Sequence, residues 1–180
     1  MIKELSVRPK AKNNNAKIVF MLTLLVGIVA FCFYFALDSY KGIIGLFGIG
    51  ALTTAILFYT KYIAIELRYD ITFDVENTPI FVVRQITGKR ESTLCRINLS
   101  DIISVTHETK NDTREHKRGV GVHLYKYTPT LMPDEIYRIF SSNRYEKSEI
   151  VIECSSEFAE ILTEYAREAR EAYLASEAEE

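Results

Sequence analysis

Hydrophobic and polar positions divide the chain into three regimes. Residues 18–37, IVFMLTLLVGIVAFCFYFAL, carry no charge over 20 positions, and residues 42–60, GIIGLFGIGALTTAILFYT, carry none over 19. Only Asp38, Ser39, Tyr40 and Lys41 separate them. At ~1.5 Å rise per residue each run makes roughly 30 Å of helix, the thickness of a bilayer's hydrocarbon core. So short a connection predicts an antiparallel transmembrane hairpin. Helices buried in soluble proteins usually keep one polar face, and neither run has one. The first run is also too long for a signal peptide, and no small-residue cleavage site precedes the second.

After the second run the pattern becomes period two, the mark of half-buried strands. Seven segments follow it: IELRYDITFDV, IFVVRQIT, STLCRINL, IISVTHET, VGVHLYKY, EIYRIF and EIVIEC. NTP at 77–79, Gly88, Pro129 and Pro133 punctuate them with turn chemistry. Seven short strands at this spacing predict an antiparallel meander forming a sandwich or barrel. The stretch RINLSDIISV, residues 96–105, joins the third and fourth without glycine or proline. It predicts a tight turn with Ser100-Asp101 as its corner and Ile97, Leu99, Ile102 or Ile103, and Val105 in the core. Leu99, Ile102, Ile103 and Thr106 also fit a helical period, though β-branching favours strand.

From Ser155 the period changes again. Phe158, Ile161, Leu162, Tyr165, Ala169 and Ala172 form one helical stripe, with Ser155 or Ser156 as cap and Glu157 and Glu160 in the first turn. The organisation expected is a basic tail over 1–17, the hairpin over 18–63, a domain over 64–175 and an acidic tail over 176–180.

Charge orients this plan. Lys3, Arg8, Lys10, Lys12 and Lys17 face one acid, Glu4, before the first run, and Lys61 and Arg68 follow the second. The loop between the runs has only Lys41 beside Asp38. An excess of Lys and Arg on both flanks predicts a plasma-membrane protein with two spans and both termini cytoplasmic. Residues 61–154 balance at 14 basic against 14 acidic. That balance argues against nucleic acid as a partner, since such domains show a basic footprint. Cys32, Cys95 and Cys154 are scattered, with no disulfide framework or CxxC pair.

Seven strands closed by an amphipathic C-terminal helix resemble a pleckstrin-homology (PH) fold. RINLSDIISV is similar to the Ile-x-Leu-x-x-Ile-x-x-Val pattern at the third-to-fourth strand turn of bacterial PH-like domains, which often follow a transmembrane hairpin. The resemblance covers about residues 61–175 plus the anchor, in element order. It implies a bacterial membrane protein with a cytoplasmic adaptor-like domain. Phosphoinositide-binding PH domains resemble one another in a basic loop between their first two strands. Here that loop is Glu76 to Pro79, with no Lys or Arg, so this role does not carry over.

Candidate chemistry is thin. Gly42, Gly45, Gly48 and Gly50 imitate a phosphate loop, but they lack its preceding strand and its Gly-Lys-Ser/Thr. Gly42, Gly45 and Gly48 lie about a turn apart, extended by Ala51 and Ala55, and make a small-residue face for helix packing. No acid, base or histidine lies in either run, so two such helices form no ion pathway alone. The loop from 110 to 118 holds Lys110, Arg114, His116, Lys117 and Arg118 with Asp112 and Glu115. It is a candidate interaction loop, although mixed charge also suits a solvated hairpin. His107, His116 and His123 match no compact metal motif. Ser100, Asp101 and His107 lack the context of a nucleophile, and Asp134-Glu135 at a strand start point to opposite faces.

The function expected is a non-enzymatic membrane-anchored interaction or adaptor module without cofactor or metal. Its partners would be the lipid bilayer and a membrane or cytoplasmic protein, with homo-oligomer formation open. The alternative is an accessory subunit of a transporter or sensor, packing through the glycine-lined second helix.

Overall fold

The computed structural model describes residues 2–9, 14–36, 40–109, 121–143 and 146–178. The chain divides into two compact units, Ala11–Ile65 with Thr130–Met132, and Met1–Lys10 with Glu66–Pro129 and Pro133–Glu180.

The first unit contains α1 (Asn14–Ala36) and α2 (Lys41–Phe58), the latter continued by a π-helical turn over Tyr59–Ile63. Both helices are long and apolar enough to cross a membrane. Their contacts run antiparallel: Phe20 meets Tyr59, Gly27 lies against Leu52, Ala30 against Gly48 and Tyr34 against Gly45.

The second unit is two four-stranded sheets and a helix. The first sheet has the order β1 (Leu5–Val7), β2 (Glu66–Phe73), β3 (Pro79–Thr87), β4 (Arg90–Asn98), all antiparallel. The second contains β5 (Ile102–Thr109), β6 (Val122–Tyr127), β7 (Glu135–Ser142) and β8 (Lys147–Ile152), in the order β5-β7-β8-β6. Seven of these are the strands expected from the period-two pattern. The eighth, β1, comes from the segment read as a basic tail. It pairs Leu5, Ser6 and Val7 with Ile71, Asp70 and Tyr69.

The expectation of seven strands in one antiparallel meander is therefore corrected in two ways. There are eight strands among the described residues, and β6 runs parallel to β8 at the far edge from β5. Parallel neighbours need a crossover connection, which local alternation does not encode.

RINLSDIISV also acts differently from a hairpin turn. Leu99–Asp101 form a 3-10 turn that carries the chain from the edge of one sheet into the other. Leu99 and Ile102 are buried there, whereas Ile103 is 54% exposed. Between β3 and β4, Gly88 has φ +60 at the first central position of a two-residue hairpin, a conformation that favours glycine.

Alternate positions of β2 and β3 bury Tyr69, Ile71, Phe81 and Val83, and Ile139, Ile150 and Ile152 of the second sheet are likewise buried. The helix α3 (Ser156–Ala178) supplies Phe158, whose ring lies 6.3 Å from Tyr69 and 6.5 Å from Phe81. The buried Tyr69 hydroxyl donates to the Tyr127 carbonyl at 2.6 Å, satisfying its polar end. Ser155 is the cap of α3, its hydroxyl accepting the Phe158 N–H at 3.3 Å. The buried face is Phe158, Ala159, Leu162, Ala166 and Ala169. Ile161 and Tyr165 of the expected stripe sit at its border and Ala172 is exposed. The helix continues through Ala178, so much of the expected acidic tail is helical.

Candidate functional site

A concavity of about 490 Å³ lies between β5, β7 and α3. Val105 and His107 come from β5, Tyr137 from the neighbouring β7, and Ala159 and Thr163 from the helix. His107 and Tyr137 face each other in register, their rings 5.0 Å apart. His107 Nε2 lies 3.6 Å from Glu135 Oε2. Burial pushes the Tyr137 hydroxyl above its ordinary pKa, with Cys154 adding to the rise. The Thr163 hydroxyl donates to the Ala159 carbonyl at 2.7 Å. The helical rim adds Glu160, Glu164 and Arg167.

A second polar constellation covers the outer face of the first sheet. Arg68 and Arg84 stand directly opposite on β2 and β3, an arrangement that repels unless neutralised. Two carboxylates bridge them. Asp70 Oδ2 lies 3.0 Å from Arg68 Nε and 3.1 Å from Arg84 Nε, and Glu91 Oε1 lies 2.5 Å and 2.9 Å from their terminal nitrogens. The other Asp70 oxygen accepts the Ser6 hydroxyl at 2.5 Å. This closed ring joins β2, β3 and β4, and the Ser6 hydrogen bond ties β1 to it. On the second sheet, buried Arg138 pairs with Glu108 at 2.5 Å and with Glu149.

The small-residue face divides. A Cβ on Gly45 would meet the Tyr34 ring at 3.2 Å and one on Gly48 would meet Ala30 at 3.4 Å, so both are used within the hairpin. Ala55 is buried and Ala51 half-buried. Gly42 faces open space. Gly27, which sequence spacing did not single out, makes the tightest approach: its Cβ would lie 2.7 Å from Leu52. Lys110, Arg114, His116, Lys117 and Arg118 lie outside the described residues.

Ser100 and Asp101 are not assembled with His107. They occupy the 3-10 turn, while His107 lies five residues farther along β5 than Ile102, about 17 Å at strand rise. His107 and His123 are on strands at opposite edges of their sheet. Among the described residues no three His, Cys, Asp or Glu side chains group as a metal site. Burial pushes the Cys95 thiol to about 11 and the Cys154 thiol to about 12, which keeps both protonated and unreactive at neutral pH.

No family model, curated protein or solved structure matches this chain.

The arginine ring and buried Arg138 were missed by sequence reasoning. Their signal was present only as phase: Arg68, Asp70 and Thr72 occupy the polar positions of β2, but their partners on β1, β3 and β4 depend on register.

Proposed function

We propose that this chain is a non-enzymatic, membrane-anchored interaction module that presents its two-sheet domain at the cytoplasmic face. The observation that carries the proposal is the pairing of β1 with β2. Segments on both sides of the helical pair belong to one sheet, so a crossing made by α1 must be reversed by α2. The hairpin surface agrees: Ile43, Leu46, Phe47 and Phe35 are all more than 60% exposed. So continuous an exposed apolar surface needs a nonaqueous solvent. The basic residues that flank the helices favour the cytoplasmic side. Two sheets and a C-terminal helix support a PH-like domain in outline, while the order β5-β7-β8-β6 departs from its meander.

The anchor would confine the domain near membrane partners and raise their effective concentration. A fluorescent reporter fused after Glu180 tests the placement. The proposal expects fluorescence from a cytoplasm-competent reporter; activity only from an exterior-specific reporter overturns it.

A further inference from the structure

Both connections between the first sheet and the apolar helices leave that sheet at one end. β1 runs toward this end through Val7, which pairs with Tyr69, and β2 starts from it at Glu66. Glu66 follows Ile63, the last residue of the π-helical turn, by three positions, at most about 10 Å of extended chain. Ile86 of β3 pairs with Glu66, and the β3–β4 hairpin runs on past that pair, through Thr87 to the turn at Gly88 and Lys89. Its tip therefore projects from the end of the sheet at which both connections leave. Lys89 and Arg90 are exposed there, and among the described residues neither has a carboxylate within ion-pair distance. The acids at this end are engaged: Glu66 lies 3.9 Å from Arg8, and Glu91 bridges Arg68 and Arg84. The opposite turn lies the length of β2 away, about 24 Å at strand rise. It carries acids instead, Asp74 paired with Arg96 and Glu76 exposed.

We infer that the tip of the β3–β4 hairpin is a bilayer contact, in which Lys89 and Arg90 bind the phosphates of anionic phospholipids. The short link before Glu66 limits how far this end can stand off from the surface that the apolar helices enter. Headgroups are therefore the ligand at the highest effective concentration. An ammonium and a guanidinium each gain from a negatively charged leaflet, and the gain fades beyond a Debye length. The two-residue turn, with Gly88 at φ +60, fixes the pair on a short hairpin rather than a long loop. This rests on the membrane-anchored reading and adds a lipid class to it.

The test uses the full chain, with Cys32, Cys95 and Cys154 replaced by serine, in nanodiscs that carry a headgroup-nitroxide lipid. A fluorophore on Thr87→Cys reports the tip, and one on the fully exposed Val75→Cys reports the opposite turn. Quenched and unquenched lifetimes give the docked-to-free ratio. In phosphatidylcholine–phosphatidylglycerol discs the ratio at Thr87→Cys should exceed that at Val75→Cys, and it should fall with added salt or in pure phosphatidylcholine. Lys89→Gln with Arg90→Gln should lower it about tenfold or more, with the circular-dichroism melt unchanged. Lys89→Arg with Arg90→Lys should retain it. Equal quenching at the two turns, quenching indifferent to anionic lipid, or quenching unchanged by the neutral pair overturns the inference. A fluorophore on the exposed Leu46→Cys separates that failure from failure of the anchor. Quenching at Leu46→Cys by an acyl-chain nitroxide, without lipid-dependent quenching at Thr87→Cys, removes the contact and leaves the anchor standing. No quenching at Leu46→Cys removes the anchor, and the inference with it.

Discussion

Ser6 donates its hydroxyl to Asp70 Oδ1 at 2.5 Å, although 64 positions and both apolar helices separate the two residues. Asp70 is 6% exposed and also holds Arg68 and Arg84, so one carboxylate joins the N-terminal strand to the arginine ring. The short strand β1 contributes only three paired residues. Side-chain contacts of Ser6 with Asp70, Glu4 with Thr72 and Arg8 with Glu66 add to its hold on the sheet. Ser6→Ala should cost about 1 kcal/mol of stability. It should also speed amide hydrogen exchange in Tyr69–Ile71, read by mass spectrometry, while leaving exchange in β8 unchanged.

The hairpin depends on one close approach more than on its glycine-rich helix. Gly27→Leu forces a side chain into Leu52, with the Leu52 backbone nitrogen only 3.4 Å from the new Cβ. Overpacking of this kind costs about 1–3 kcal/mol. The midpoint of SDS-induced unfolding should fall for Gly27→Leu and stay constant for Gly42→Leu and Gly50→Leu, which face open space.

Arg138 is 4% exposed between Glu108 and Glu149. Replacing it alone leaves two carboxylates together in a buried site. Arg138→Met should cost about 3–5 kcal/mol in urea unfolding. Adding Glu108→Gln and Glu149→Gln should recover part of that loss, because the uncompensated charge is removed with its partner.

Two aspartates should respond to pH with opposite sign. Burial raises the Asp101 pKa, so its contribution is favourable below the unfolded value and is lost as pH rises through the folded one. The Val75 N–H, followed by Arg96, lowers the Asp74 pKa, so its contribution is present above the unfolded value and lost as pH falls through the folded one. At pH 7, Asp101→Asn should raise the thermal midpoint and Asp74→Asn should lower it. Both differences should shrink below about pH 3, where carboxyls protonate.

Local pattern was enough to locate α1, α2, α3 and seven strands, because each carries its own hydrophobic period. It was not enough to locate β1: Leu5 and Val7 flank one serine among charged neighbours, too short a run for a period to register. Sheet order was also illegible, since parallel pairing of β6 with β8 depends on distant segments. The same limit applied to the candidate site. His107 was visible as a residue, but its meeting with Tyr137, Glu135 and the face of α3 required β5, β7 and the helix to converge. Among the glycines, spacing found Gly45 and Gly48 but not Gly27, which is the single glycine of α1 and so belongs to no small-residue repeat.

The central claim is that β1 and β2, on either side of the two apolar helices in sequence, pair in one sheet, and the proposal puts both flanks of the hairpin on the cytoplasmic side. Single cysteines at Lys3, Tyr40 and Tyr173, in a chain with Cys32, Cys95 and Cys154 replaced by serine, test it directly in intact cells with a membrane-impermeant maleimide. Labelling at Tyr40→Cys alone, with Lys3→Cys and Tyr173→Cys labelled only after permeabilisation, is the predicted result. Exterior labelling of Lys3→Cys or Tyr173→Cys would contradict it.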